Sequence, residues 1–557
     1  MWECRVNTDL DSGSDHYPIQ TVLNVTPPPP ALKATRPQWR KADWPKIKES
    51  LKTGLSLLPD TRLTNPGEID NFADCLTTAM TTVIDNEIPL ARHSTKTSPI
   101  WSAESSALIR RARAARRTWT ASKRTEDYIA FRTIINAKKR QIRRELTKTW
   151  RHAVESITED GSKVWKLAKW AHTRAMEPPA LPPFPPLQDE DGIFYHSHNE
   201  KARLLASKFF PPPPEVDISD VQAAQYPQEI QILQEVTVEN VLGMLRCLPP
   251  DKAPGPDGMV NRFLNECEDV VAYPLACLFH ACLQLSHYPK AFKRSTTIVL
   301  RKPQKDTYTK AKSYRPIALL NTMGKVLERI VAKRMSEAAE THSLLPDVQM
   351  GARPGRSTET ALELLTEQTR TAWAIDPTAV ASVLSLDMAG AFVNASHERL
   401  IHNLCMAGLP LWMTMFIASF LKNRTTRLYF DGTQTTPFNT NTGIPQGSPL
   451  SPILFLFFAS YLLHKLNQGK TTAFGFVDDT NIFAYSRSTE ENCRTLEAAH
   501  DKCLEWALKH GATFAPEKYN LMHFTRQRKR DDLSAAISAG STSGPKAQMG
   551  TTHKAHT

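Results

Sequence analysis

The sequence predicts an α+β domain that begins near residue 215 and is preceded by a basic helical region. Three observations carry that reading. Past residue 215, apolar runs of strand length alternate with helical patterns: Thr296–Leu300, then Gly324–Met335, then Ala379–Leu386. Before it, Ala103–Arg151 contains neither Pro nor Gly, and Leu108, Ala112, Ala115 and Trp119 recur at helical spacing. Between and ahead of these regions prolines clump, at Pro27–Pro30, from Pro178 to Pro186 and at Pro211–Pro214, and favour extended chain.

Composition narrows the function. The chain has 557 residues, 41% of them hydrophobic and 23% charged, enough to bury a sizeable core. Lys and Arg outnumber Asp and Glu by 69 to 57, a net charge of +12 that favours polyanionic partners. Nine cysteines fall at 4, 75, 247, 267, 277, 282, 405, 493 and 503, with no C-x-x-C pair. A disulfide framework and a zinc finger are therefore not expected; Cys277 and Cys282, set among apolar residues, are expected to be core thiols. The opening residues carry scattered charges unlike a signal peptide, and the longest apolar run, Ile453–Leu463, is too short to span a membrane. An intracellular, soluble chain is expected.

The excess charge is local. Ala103–Arg151 holds fifteen Lys or Arg against four acids, a net of +11. One or two basic helices with interleaved aromatics (Trp119, Tyr128, Phe131, Trp150) are expected. Either they are a solvated linker, or Arg110, Arg111, Arg113, Arg116, Arg117, Lys138, Lys139, Arg140, Arg143 and Arg144 contact a phosphate backbone, which such a one-sided charge favours.

The chemistry concentrates further along. In Phe474-Gly475-Phe476-Val477-Asp478-Asp479-Thr480-Asn481-Ile482-Phe483-Ala484, two apolar strands flank an acidic pair, which reads as a hairpin with Asp478 and Asp479 at its tip. Adjacent carboxylates there repel unless a cation sits beside them, and a hard divalent ion with oxygen ligands fits. The buried-strand run Ala379–Leu386 ends at Asp387, placed to share that ion. Between them, Gly443–Pro452 is a glycine-bearing loop feeding a helix, with Ser448 a candidate N-cap, Gly447 permitting close backbone approach to a ligand and Gln446 offering an amide. His397, His402 and His464 read as structural, and Phe455, Phe457 and Phe458 as helix core.

These motifs resemble a known family. Asp387 with Phe392 five residues on, then GIPQGSPLSPILF, then FVDD, are similar to motifs A, B and C of reverse transcriptases. Upstream, Asp251–Met259 (DKAPGPDGM), Lys302 and SYRPIALLNTMGKVLERIV from Ser313 resemble the N-terminal extension and fingers of non-LTR, LINE-type polymerases; Gly511–Lys518 resembles their motif D. Gly13–Ile19 resembles the last motif of the apurinic-type endonuclease that precedes the polymerase in such elements. The resemblance covers about residues 235 to 525, plus that N-terminal scrap.

It implies right-hand polymerase fingers and palm, and a division into an endonuclease remnant (1–24), a linker with short helices (25–100), a basic helical region (101–176), a Pro-rich linker (177–214), an N-terminal extension (215–290), fingers and palm (291–526) and a disordered tail (527–557). It implies RNA-directed DNA synthesis by two-metal nucleotidyl transfer on an RNA template, from a DNA primer at its target and with dNTPs, without a membrane partner, in the nucleus and cytoplasm. Asp387 and Asp478 would hold two Mg²⁺ ions (Mn²⁺ could serve), with Asp479 in support. Arg315 and Lys302 would neutralise the triphosphate, Gln446 and Gly447 shape the nucleotide pocket, and Lys518 protonate pyrophosphate. Phe392 would exclude a ribose 2′-OH, and Val477 stands where RNA-copying viral polymerases usually carry Gly; both point to DNA as product. Three departures accompany this: only a scrap of the endonuclease, Val393 where an Asp is frequent, and no recognisable thumb or Cys/His knuckle. The alternative is a truncated remnant that binds nucleic acid without polymerising; a group II intron maturase-like polymerase fits the endonuclease scrap and APGPDG less well.

Overall fold

The computed structural model describes residues 3–6, 19–22, 37–58, 62–90, 102–158, 184–469, 471–527, 537–539, 547–549 and 553–555. They divide into two compact units, one of Met1–Pro37 with Leu90–Pro182, the other of Gln38–Pro89 with Pro183–Thr557.

In the first unit, helices Ala103–Ser122 and Thr125–Thr158 pack against each other. Lys123 in the left-handed conformation (φ 54°) ends the first helix. Trp119 stacks on Phe131 across the pair, ring centroids 5.4 Å apart, and leans on Tyr128 at 5.1 Å. Gln141 donates to Glu104 at 2.9 Å, and Ser102 to Glu145. Ala112 and Phe131 are buried in the seam, and aromatic packing helps hold the basic helices together. A short antiparallel pair, Glu3–Val6 with Ile19–Val22, also belongs here. Gly13–Pro18 and Pro27–Pro30 lie outside the described residues.

The second unit mixes helix and sheet, as the sequence predicts. In chain order its main elements are α1 (Trp44–Leu55), α2 (Pro66–Glu87), α3 (Glu268–Gln284), β1 (Arg294–Arg301), β2 (Tyr314–Leu320), α4 (Thr322–Thr341), β3 (Gln349–Met350), β4 (Val380–Asp387), β5 (Arg424–Phe430), α5 (Ser451–Leu466), β6 (Thr472–Phe476), β7 (Asp479–Ser486), α6 (Thr489–His510) and β8 (Asn520–Phe524). One sheet joins β1 and β2 antiparallel and β1 to β5 parallel. The other runs His553–Ala555, β8, β4, β7, β6, β3. Its central strand, β4, is buried over nearly its whole length because β7 and β8 flank it, which is why its sequence is almost continuously apolar. Phe455, Phe457 and Phe458 of α5 are buried in the core behind this sheet.

Several expectations fail. Residues 38–89 are not a linker: Ile47, Leu51, Phe72 and Leu76 of α1 and α2 enter the main core, and Asp70 accepts from the His287 ring at 2.9 Å and the Lys290 amide at 2.9 Å. The Pro-rich linker fails over its described part as well. Helix His198–Phe209, opened by a Ser197/Glu200 capping box, buries Leu205 and Phe209 against Val299, Tyr314 and Leu428. In the expected tail, Ile537–Ala539 pairs with Ala547–Met549, Ile537 joins the core, and His553–Ala555 runs parallel to β8; most of 528–557 lies outside the described residues. Cys282 is buried, but Cys277 is exposed, since five residues along a helix turn the side chain to a different face.

Candidate active site

The acidic hairpin forms, but its turn falls one residue earlier than the Asp478–Asp479 tip its sequence suggests. Phe476 and Asp479 are paired residues of β6 and β7, leaving Val477 and Asp478 as the two-residue turn. Val477 adopts φ 54°, a conformation that a β-branched residue rarely enters, in a turn tight enough to present Asp478. Asp479, first residue of β7, is directly opposite Asp387, the last residue of β4. The three carboxylates thus meet at one edge of the central strands.

The loop after α6 closes over them. Gly511, left-handed at φ 64°, caps α6 and reverses the chain. Met388 bridges Phe514, the Ala515 amide donates to the Asp387 carbonyl at 2.9 Å, and the Lys518 ammonium reaches Asp387 Oδ1 at 2.7 Å. Partial burial, and then the Asp387 carboxylate, push the Asp478 carboxyl above its ordinary range, against the pull of Lys518. Asp479, though its side chain is exposed, is pushed the same way, by lost solvation and then by Asp478 and Asp387. The half-buried Lys302 ammonium is pushed down by burial, then by Lys518 and Arg315. Arg315 is exposed on β2, opposite Leu300 of β1. Lys302, Arg315 and Lys518 therefore form a cationic rim next to the acidic cluster. Among the described residues no three His, Cys, Asp or Glu side chains are grouped to hold a metal ion by themselves. Two carboxylates with substrate phosphates are, however, the usual donor set for Mg²⁺, and the Lys518 ammonium on Asp387 marks a place where a cation is favoured.

The glycine-bearing loop differs from expectation in detail. Gly447 (φ 126°) lies so close to β2 that a Cβ would come within 2.4 Å of the Ala318 carbonyl. Its close approach is thus to the neighbouring strand, while the Gln446 carbonyl accepts from the Ala318 amide at 2.7 Å. Ser448 does not cap α5: Leu450 occupies that position, and the buried Ser448 hydroxyl instead donates to Glu328 at 2.5 Å. Gln446 Oε1 is buried without a partner, in a cleft of about 40 Å³ shared with Phe209, Phe210, Thr297 and Arg424. Phe392 stacks on Phe455 of α5, centroids 5.0 Å apart, and its carbonyl accepts from the Ile444 amide at 2.6 Å. His397 Nε2 donates to the Gly443 carbonyl at 2.8 Å, and His402 pairs with the Tyr226 hydroxyl at 3.2 Å.

Sequence reasoning missed the surroundings of two acids, the partly buried Asp257 and the fully buried Glu328. Asp257 accepts from the Thr322 amide at 2.9 Å at the start of α4, and burial pushes its carboxyl up to about 6. Gly255 abuts the Leu320 carbonyl, where a Cβ would stand at 2.2 Å. DKAPGPDGM is thereby a docking loop for β2 and α4. Glu328, on α4, is fully buried; its i, i+3/i+4 apolar neighbours in the sequence were the only signal that an inward face carried it.

The ten basic residues singled out by charge are on the Ala103–Ser122 and Thr125–Thr158 helices. Arg110, Arg111, Arg113, Arg117, Lys139, Arg140, Arg143 and Arg144 are exposed; Arg116 and Lys138 are half-buried. No helix among the described residues is long and apolar enough to cross a membrane.

Residues 300–548 match the family model described as reverse transcriptase (RNA-dependent DNA polymerase), and all three carboxylates and the cationic rim lie within that span. That stretch is thus similar to the reverse transcriptase family. The chain is similar to the RNA-directed DNA polymerase from mobile element jockey of Drosophila melanogaster, 25% identical over 91% of this chain and 56% of the relative. It is also similar to the probable RNA-directed DNA polymerase from transposon BS of the same fly, 25% identical over 90% of this chain and 56% of the relative, and to that from transposon X-element, 28% identical over 50% and 30%. Each of these relatives is named as a polymerase of a mobile element or transposon. The chain spans about half the length of the curated relatives it matches. Among solved structures, a telomerase from Candida Tropicalis aligns with a TM-score of 0.33 and 12% identity over 43% of this chain and 52% of that one.

Proposed function

We propose that the chain is the RNA-directed DNA polymerase of a LINE-type retrotransposon, extending a DNA primer 3′-OH at its target along an RNA template with dNTPs. The observation that carries this reading is the meeting of Asp387, Asp478 and Asp479 beside Lys302, Arg315 and Lys518, inside the reverse transcriptase match. Asp387 and Asp478 would hold two Mg²⁺ ions, or Mn²⁺ in their place, whose chemistry is to acidify the primer hydroxyl and neutralise the leaving pyrophosphate. Asp479 raises the local negative charge that holds them. Arg315, exposed and rigidly mounted on β2, suits bidentate contact with the triphosphate, and Lys302 adds a second cation. Lys518, freed from Asp387, can donate a proton to pyrophosphate. Gln446 and Gly447 line the path of nucleotide and templating base, and Phe392, fixed by Phe455, blocks a 2′-OH.

The basic helices supply a phosphate-backbone contact surface, and residues 1–24 are read as the end of an endonuclease domain ahead of the polymerase. The workplace of such a chain is the nucleus and cytoplasm. The test is Mg²⁺-dependent dTTP incorporation on oligo(dT)-primed poly(rA). Incorporation supports the reading; a folded chain that binds RNA without incorporating overturns it in favour of a nucleic-acid-binding remnant.

A further inference from the structure

We propose that Glu328 is a positioning residue for the nucleotide pocket, acting through Ser448 on the Gly443–Pro452 loop; this rests on the polymerase reading above. Glu328 is fully buried on α4, and the two-metal chemistry described above does not use it. Its two oxygens have separate partners. Oε2 accepts from the Ser448 hydroxyl at 2.5 Å, and Oε1 from the Tyr288 hydroxyl at 2.5 Å. Burial pushes its carboxyl up, while the nearby Arg424 guanidinium and these two hydroxyls favour the ionised form. Arg424 is itself buried, set 5.9 Å from the Tyr288 ring and 4.7 Å from Phe420. Gly324 leaves room for Tyr288: a Cβ there would stand 2.7 Å from the hydroxyl.

The consequence lies in the loop. Its backbone is fixed on one side by β2, through the Ala318 amide on the Gln446 carbonyl. On the other, the charge-assisted anchor is the Ser448–Glu328 bond, and Ser448 Oγ also accepts from the Leu450 amide at 3.0 Å at the entry to α5. Gln446 and Gly447 are strung between these two anchors. Releasing the second lets both drift, and a drift of this kind weakens nucleotide binding before it touches the acidic cluster. Tyr288 holds the same carboxylate from the core side, and among the described residues its hydroxyl makes no bond to the loop.

That asymmetry gives the test. Ser448→Ala, Glu328→Gln and Tyr288→Phe are compared for dTTP KM and kcat on oligo(dT)-primed poly(rA), and for amide hydrogen exchange over residues 445–450 without nucleotide. Losing a bond to a charged group predicts a KM raised about tenfold in Ser448→Ala, with kcat within about twofold, together with faster exchange in the loop. Glu328→Gln follows the same direction. Tyr288→Phe lowers thermal stability but leaves KM and loop exchange at wild-type values. Unchanged loop exchange in a folded Ser448→Ala chain overturns the inference, as does an equal effect from Tyr288→Phe. Absence of incorporation by the wild-type chain refutes the polymerase reading instead, and the exchange measurement still decides whether Glu328 holds the loop.

Discussion

Replacing Asp479 by Asn should make the chain more stable while weakening its site. Asp479 is opposite Asp387 and adjacent to Asp478 in sequence, and its carboxyl is pushed up by lost solvation and by both neighbours. Like charges directly opposite on antiparallel strands cost about 0.2–1 kcal/mol. Taking the upper end, because two carboxylates rather than one face it, removal of the Asp479 charge gains about 1 kcal/mol, or about 2 °C in Tm for a unit of this size. The sign with pH follows from the raised carboxyl. The protonated form is favoured in the folded chain, so the wild-type cost is absent below the ordinary carboxylate range near ~4 and grows as pH rises through the folded value. Thermal unfolding of wild type and Asp479→Asn at pH 7 and near pH 4, without divalent ions, measures it. The variant should gain at pH 7 and not at the lower pH, and added Mg²⁺ should narrow the difference by stabilising the wild type. No gain at pH 7, or the same gain at both, would refute the idea that Asp479 repels its neighbours beyond what Lys518 on Asp387 offsets.

Three further outcomes are expected. Gly447→Ala drives a Cβ into the Ala318 carbonyl at a backbone angle that side chains avoid; it should lose incorporation and destabilise by about 1–3 kcal/mol, read by urea unfolding. Arg399 is 1% exposed and bonds to Asp220 at 2.6 Å and to the Lys509 carbonyl at 3.1 Å; because Asp220 is partly exposed and keeps Lys509 at 2.6 Å, Arg399→Ala should cost about 1–3 kcal/mol in urea unfolding, and a loss below about 0.5 kcal/mol would contradict that latch. Substituting Arg140, Arg143 and Arg144 together by Ala should flatten the dependence of RNA affinity on KCl by about 0.7 in log–log slope for each phosphate no longer neutralised, measured by fluorescence anisotropy; an unchanged slope would remove those residues from the nucleic-acid surface.

What was legible in the sequence follows from how local the signal is. The run that ends at Asp387 and the acidic hairpin stand out because a central strand must be apolar on both faces and an acidic pair interrupts two apolar strands, although the turn itself falls on Val477 and Asp478, one residue before the expected tip. The helical spacing of Leu108, Ala112 and Trp119 likewise reports a face that packs within its own helix pair. Residues 38–89 and 184–210 were misjudged as linkers because their apolar faces are satisfied by elements far along the chain: Ile47 and Leu76 by the main core, Leu205 by β1, β2 and β5. Clumped prolines beside them mimic a boundary. Ser448 had the right residue type for an N-cap, but its hydroxyl is taken by a carboxylate 120 positions earlier, and no local pattern encodes such a pairing. Glu328 was invisible as a buried acid for the same reason.

The proposed roles of Asp387 and Asp478 in nucleotidyl transfer are tested most directly by Mg²⁺-dependent dTTP incorporation on oligo(dT)-primed poly(rA) by wild type, Asp387→Asn and Asp478→Asn, with RNA binding and thermal unfolding measured on each. Incorporation by the wild type, abolished in both variants while folding and RNA binding persist, is the result expected here. Incorporation that survives either substitution would contradict it.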